Sequence, residues 1–290
     1  MTAKVLFAGC RDLPEGTGDE HGAAKVLAEA GAEVRWAVWD DPQAPFADAD
    51  LVVLRATWDY PERHGEFLAW CESVPCLRNS AAVVRWNTDK RYLLDLAAAG
   101  VPVVPTDVVV PGAEVHWPDG EFVVKPAVGA GSRGARRFGA DDRMRAAAHL
   151  RALHDGGRPA LVQPYQADVD TNGETALVFV GGVYSHAFTK AAMLTGPEGD
   201  AAGPTGAEKR TAADPEPEQR AAAEETLDAA TGLLGMTRGD LLYARVDVVT
   251  GHDGVPLLLE LELTEPYLGF AHAEGAAVSR FASAVRAQLG

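Results

Sequence analysis

The sequence predicts an α/β chain of α+β subdomains that opens with a doubly wound parallel sheet. Strand-like runs KVLFAG (4–9), EVRWAVW (33–39) and DLVVLRA (50–56) alternate with amphipathic stretches, the rhythm of parallel βαβ units. Residues 107–190 then follow a mainly β pattern broken by one helix. Two further strands, LYARVDVV (242–249) and PLLLELEL (256–263), sit between two late helices. This order divides the chain into an N-terminal α/β unit (1–85), a central unit with a glycine-rich loop (86–165) and a C-terminal unit with carboxylate-bearing strands (166–290).

The first helix is predicted over 19–30 and ends at Gly31, which tolerates the left-handed backbone of a helix cap. A helix starting near Pro61 turns Phe67, Leu68 and Cys71 inward. Another, from Thr88 to Ala99, closes on Gly100 with Pro102 behind it, so the next strand is expected near Val101. FVVKP (122–126) and ALVQPY (160–165) read as strands, and TALVFVGGVYSHAFTK (175–190) as a hairpin turned at Gly181 and Gly182. A helix is expected over 141–154, another over 218–234 and a terminal one over 273–289. Residues 194–218, rich in Gly, Pro and acidic side chains, exceed an ordinary connection and read as a mobile lid or a disordered insert.

Of the 290 residues, 47% are hydrophobic and 23% charged, enough to bury a sizeable core. Asp and Glu number 42 against 26 Lys and Arg, for a net charge of −16 that opposes any polyanion and argues against a nucleic-acid partner. Cys10, Cys71 and Cys76 show no CxxC or Cys/His spacing and read as reduced thiols. No apolar run is long enough to span a bilayer, and the first ten residues start a strand, so a cytoplasmic protein without a membrane partner is expected. Base rates for oligomers favour a homodimer.

In FVVKPAVGAGSRGARRF a strand delivers Lys125, then a loop with Gly129, Gly131 and Gly134 around Ser132. Glycines let backbone N–H groups approach phosphate oxygens, Ser132 adds a donor and Lys125 a charge, so the loop suits a polyphosphate. It is neither a P-loop, since the lysine precedes the glycines, nor a Rossmann fingerprint, since a strand follows. The plain alternative is a flexible hairpin with a surface lysine. In ARVDVV…LLLELEL, strand periodicity puts Glu260 and Glu262 on one face with Leu259, Leu261 and Leu263 on the other, and a neighbouring strand can bring Asp247 alongside. Three carboxylates on one face need a cation, and hard oxygen ligands suit magnesium; the alternative is a charged, solvent-facing strand edge.

The order of these elements resembles the ATP-grasp carboxylate–amine ligases over residues 80–270: Lys90 in WNTDKRYLL, Lys125 and its loop, LVQPYQADVDTNGE, then Arg245, Asp247, Glu260 and Glu262. The resemblance implies ATP and Mg2+ as cofactors. Lys90 and Lys125 hold the phosphates, and the loop Gly129, Gly131, Ser132, Gly134 folds over them. Gln163, Pro164, Tyr165 and Gln166 meet adenine, with Val169 and Glu174 near the ribose. Lys190 and Arg245 reach the γ-phosphate as the catalytic cations, and Asp247, Glu260 and Glu262 bind two magnesium ions. The family pattern ends in Glu-x-Asn, whereas this chain has Glu260-x-Glu262, which adds negative charge and puts metal affinity in question. LRATWDY, GETALVFVGGVYSHAFTK and LELELTEPYL are most similar to small bacterial members related to glutathione synthetase and to the cyclo-ligase that closes O-ureido-D-serine into D-cycloserine.

The implied reaction is C–N bond formation on a small amino-acid-like carboxylate through an acyl phosphate, within one molecule or between two. Beyond the C-terminal end of a parallel strand, LRATWDY places Arg55 to suit a substrate carboxylate and Asp59 to suit an ammonium, with Trp58 and Tyr60 beside them; Asp59 capping the helix that follows is the alternative. Thr264 and Glu265 follow the carboxylate strand and complete the expected substrate site. Two other readings use the same residues: a non-catalytic ATP-binding sensor or scaffold, and a kinase that stops at phosphoryl transfer.

Overall fold

The structure, a computed structural model, describes residues 2–194, 209–273 and 275–289. The N-terminal unit comprises β1 (Lys4–Gly9), α1 (His21–Glu29), β2 (Glu33–Val38), β3 (Leu51–Ala56), α2 (His64–Ser73), β4 (Leu77–Arg78) and α3 (Ala81–Asn87). Its strands form a parallel sheet in the order β2-β1-β3-β4. Period-two alternation fixes the layers. Val5, Phe7, Leu51 and Val53 pack on one face with Leu27 of α1, whereas Leu6, Ala8, Val52 and Leu54 pack on the other with Phe67 and Cys71 of α2. Both faces are therefore covered, as in a doubly wound sheet.

Next come α4 (Tyr92–Ala98), β5 (Asp107–Val109), β6 (Phe122–Pro126), β7 (Arg136–Phe138), α5 (Arg143–Asp155), β8 (Ala160–Pro164) and α6 (Val169–Asn172). Strands β5, β8, β6 and β7 make an antiparallel sheet in that order, with α5 packed on it. The last part holds β9 (Glu174–Val180), β10 (Val183–Lys190), β11 (Arg210–Ala213), α7 (Pro217–Leu233), β12 (Tyr243–Thr250), β13 (Pro256–Glu262) and α8 (Ala276–Ala287). These strands form a second antiparallel sheet, β11-β10-β9-β12-β13. On β9, Leu177 and Phe179 face α7 and α4, while Ala176 and Val178 face Phe281 and Val285 of α8 and the N-terminal sheet. No helix among the described residues is long and apolar enough to cross a membrane.

Tertiary bonds change four expectations. The helix expected over 88–99 begins only at Tyr92, as α4, and a separate helix that the sequence reading did not place, α3, precedes it; between them the Lys90 backbone N–H is drawn to Ala127 O (2.8 Å) and the Asn87 side chain to Leu261 O and Leu263 N. Near Val101 no strand forms: Val103 makes an isolated bridge to Leu258, between two prolines that lack N–H donors. Ahead of α2, residues Tyr60–Glu62 form a short 3-10 turn. Within β13 the pairing slips, Asp247 opposing Glu260 and Val248 opposing Leu258. Leu259 is the extra residue of this β-bulge, so it leaves the face of Leu261 and Leu263 and packs with Val104, Val169 and Tyr165 instead. Of the segment 194–218, residues 195–208 lie outside the described residues; 210–213 form β11 against β10, and 217 begins α7.

Candidate active site

Residues from both antiparallel sheets, from the segment after β3 and from the end of α3 converge on one cleft of about 1640 Å³, open solvent at its mouth included. Its floor is set by strand register. Asp247 lies opposite Glu260 and Arg245 opposite Glu262 on β12 and β13, and Lys190 lies opposite Glu174 on β10 and β9. Asp247 is fully buried and receives Arg245 Nε (2.8 Å), Arg245 Nη2 (2.9 Å) and Lys190 Nζ (2.7 Å). Arg245 Nη2 also pairs with Glu262. Lys90 Nζ reaches Glu260 (3.1 Å) and Gly129 O (2.7 Å), and Lys190 Nζ reaches Glu174 (2.6 Å).

Burial acts on every one of these charges, and their partners decide the outcome. Asp247 pays for desolvation but is held at about 2 by Arg245 and Lys190. Glu262 is pushed by burial to about 7, Arg245 opposing this and Glu260 and Asp247 adding to it. One carboxylate oxygen each from Asp247, Glu260 and Glu262 gathers within 4.8 Å of the others, a hard-oxygen donor set that fits a divalent cation such as magnesium.

The glycine loop forms the facing wall. It joins β6 to the antiparallel β7, so a strand follows the glycines, as the sequence predicts. Gly131 (φ +61°) and Gly134 (φ +75°) take left-handed backbone, and Ser132 (φ +56°) does so despite its side chain. Gly129, Gly131 and Ser132 line the cleft; Gly134 does not, its α-carbon packing toward Pro126 and Leu153. Lys125 projects into the same space without a hydrogen bond or ion pair to any described residue. Burial lowers its pKa, and Lys90 and Lys190 lower it further. Glu260 opposes this shift, and an ammonium with cationic neighbours and no bonded carboxylate among the described residues fits a polyanionic ligand. Lys125→Ala is expected to weaken ATP binding about tenfold to a hundredfold, the worth of one charge-assisted phosphate contact, measured by calorimetric titration. Unchanged affinity would mean the phosphates lie elsewhere.

At the far end, Gln163, Pro164, Tyr165, Gln166 and Val169 line the cleft beside bulged Leu259, giving an apolar shelf with amide edges. Glu174 lines it too, but its carboxylate is engaged by Lys190. At the opposite end stand Trp58, Tyr60, Thr264 and Glu265. Burial, then Glu262, raises the Glu265 carboxyl to about 8.

Arg55 and Asp59 are placed away from the cleft. Arg55 is fully buried outside the cleft lining, with Nη2 bonded to Glu20 (3.0 Å) and Pro266 O (2.6 Å) and its guanidinium over the Tyr243 ring (5.1 Å). Asp59 accepts from Trp39 Nε1 (2.8 Å) and Arg63 Nη2 (3.3 Å), and its side chain makes no cap to the turn that follows. Asp247 lies fully buried beneath the cleft floor, its carboxylate bonded by Arg245 and Lys190. Conversely, the sequence reading missed Arg133, Arg210, Met193 and Asn87, all of which line the cleft. Arg210 stacks over Tyr267 at 4.4 Å. It belongs to a Gly- and Pro-rich stretch without periodicity, and only its pairing opposite Lys190 reveals its position.

A cleft between two antiparallel sheets, with Lys190, Arg245 and the clustered carboxylates on one wall and Lys125 with the glycine loop on the other, is the arrangement of an ATP-grasp ligase. Residues 5–84 match the family described as D-cycloserine synthetase DcsG, N-terminal domain. The cycloserine biosynthesis protein DcsG of Streptomyces lavendulae is 42% identical over 264 residues, 87% of each chain. The crystal structure of D-cycloserine synthetase DcsG superposes with a TM-score of 0.90 at 36% identity, over 99% of this chain and 100% of that one. At 18% identity the fold is shared with the ATP-grasp ligase PsnB, solved with minimal precursor, Mg and ADP (TM-score 0.61, covering 99% of this chain and 97% of that one). The chain belongs to the DcsG family of ATP-grasp ligases and is an enzyme that forms a C–N bond on a small amino-acid-like carboxylate using ATP.

Proposed function

We propose that this ligase closes O-ureido-D-serine into D-cycloserine within a single substrate molecule. The reading is supported by the 42% identical relative named for cycloserine biosynthesis. The carrying observation is the composition of the cleft: Lys90, Lys125, Lys190 and Arg245, suited to phosphates, meet an end walled by Trp58, Tyr60, Thr264 and Glu265. Ring closure needs room for one amino acid only, because the nucleophile is tethered to the carbonyl it attacks and gains a high effective concentration.

A substrate carboxylate oxygen attacks the γ-phosphorus of ATP and ADP leaves, giving an acyl phosphate. The ureido nitrogen that is bonded to oxygen then attacks the carbonyl carbon, loses its proton and expels phosphate, closing the five-membered ring. The carbamoyl group left on that nitrogen takes up one water and departs as carbon dioxide and ammonia. Phosphoryl transfer between two anions depends on clamped positive charge. Lys90, Lys125, Lys190 and Arg245 supply it from fixed positions, and Asp247 holds the last two in place. Magnesium on Asp247, Glu260 and Glu262 would neutralise phosphate charge further. Glu265 takes the substrate ammonium, whose charge draws the buried carboxyl back to its ionised form.

With Mg-ATP, O-ureido-D-serine alone is expected to release ADP and give cycloserine in equal amounts, followed by coupled ADP assay and mass spectrometry. Mg-ATP without substrate is expected to raise the thermal midpoint, since it binds only the folded state. Turnover that requires a second amino acid would replace ring closure with intermolecular ligation.

A further inference from the structure

After β13 the chain runs from Leu263 to Leu268 without regular secondary structure, and every carbonyl in that run is held by a side-chain donor from a different position. Asn79 Nδ2 donates to Leu263 O (2.7 Å), Tyr243 OH, whose single proton is shared with Leu54 O (2.9 Å), to Thr264 O (2.8 Å) and Trp58 Nε1 to Glu265 O (2.9 Å). Arg55 Nη2 donates to Pro266 O (2.6 Å), Arg245 Nη1 to Tyr267 O (3.1 Å) and His186 Nε2 to Leu268 O (2.7 Å). Three donors come from the N-terminal unit and three from β10 and β12. Irregular segments usually satisfy their carbonyls with water or with neighbouring backbone, which leaves them free to shift. Here a displacement breaks a buried bond at each residue.

The donors are themselves fixed. Arg55 is fully buried between Glu20 and the Tyr243 and Phe281 rings. Burial depresses His186, which keeps its imidazole neutral; with Nε2 donating to Leu268 O, Nδ1 is left to accept from Ser185 Oγ (2.9 Å), and that hydroxyl receives Arg280 Nε (2.9 Å). Asn79 is locked by Leu242 N (2.7 Å) and Tyr243 O (2.9 Å). The segment they grip presents Thr264, Glu265 and Tyr267 to the substrate end of the cleft.

We propose that Leu263–Leu268 is a preorganised substrate platform and that Arg55 and Tyr243, which do not line the cleft, are its positioning residues. The proposal rests on the reading of the cleft end walled by Trp58 and Tyr60 as the amino-acid site. Binding groups need placement within about 0.5 Å to discriminate small substrates, and side-chain clamps on successive carbonyls achieve this without a rigid helix or strand. The adenine end, lined by Gln163, Pro164, Tyr165, Gln166 and Val169, comes from another part of the chain, and of the six clamps it is Arg245 that also belongs to the phosphate end.

The test compares full-length wild type with Tyr243→Phe and Arg55→Lys. Each variant is expected to raise KM for O-ureido-D-serine about tenfold, the effect of one lost or misplaced buried hydrogen bond, with KM for ATP held within about twofold. In the absence of substrate, amide exchange in Leu263–Leu268 is expected to quicken while the Gly129–Gly134 loop keeps its wild-type rates. Equal rises in both KM values, or exchange that quickens everywhere or nowhere, would overturn the platform. Should wild type fail to turn over O-ureido-D-serine, the substrate reading falls, and the exchange comparison decides the platform by itself. Tyr243→Phe removes a single oxygen, so it carries both measurements if Arg55→Lys does not fold.

Discussion

Glu260→Gln is expected to lower turnover by about two to three orders of magnitude while the protein remains folded, the usual penalty for removing a charge that acts at the transferring phosphate. The position explains why the effect falls on chemistry. Glu260 pairs in register with Asp247, borders the cleft and lies 3.1 Å from Lys90. Burial alone would raise its pKa, but Lys90 and then Lys125 hold it below the ordinary carboxylate value, so the site keeps it ionised. Glutamine preserves size and one oxygen but gives up the charge that pairs with Lys90 and that a bound cation would share. Lys90 retains Gly129 O as a partner, which limits structural damage. Steady-state ADP release beside far-ultraviolet circular dichroism checks this. Near-normal turnover would make Glu260 a counter-charge for Lys90 and no part of a metal site.

Arg245→Met is expected to destabilise the fold by about 3–5 kcal/mol, the range for breaking a buried ion pair from one side. Arg245 is buried, bonds Asp247 twice, pairs with Glu262 and donates to Tyr267 O. Its loss leaves Lys190 alone to compensate a fully buried Asp247, and leaves Glu262 in a site that already raises its carboxyl to about 7. The urea midpoint should fall with the slope unchanged. Asp247→Asn combined with Arg245→Met is expected to recover part of the loss, because the uncompensated charge is removed together with its partner. A midpoint equal to wild type in the single variant would mean that the pair contributes specificity without stability.

Much of the site is readable in the sequence because it is carried by local rules. A strand points alternate side chains to opposite faces, so Glu260 and Glu262 had to share a face wherever the strand lay, and the glycine run with its preceding lysine announces a loop that tolerates phosphate whatever surrounds it. The same rules fail at Leu259, where a bulge created by pairing with β12 adds a residue and transfers that leucine to the apolar shelf. They fail also at Thr88, where bonds from Asn87 and Lys90 to distant backbone hold the chain out of the helix expected to start there, which forms only from Tyr92.

Residue type and spacing by themselves determined the α/β order of elements, the cation and carboxylate sets, and the likeness to ATP-grasp ligases, since each depends on neighbours within a few residues. Only the tertiary structure decided that Arg55 grips Pro266 from behind the cleft, that Arg210 reaches it from a stretch without pattern, and that six side chains converge on Leu263–Leu268. Those contacts join residues as many as 211 positions apart. A charged side chain carries the same chemistry into a substrate or into a buried carbonyl, and the packing of sheets against one another settles which of the two it meets.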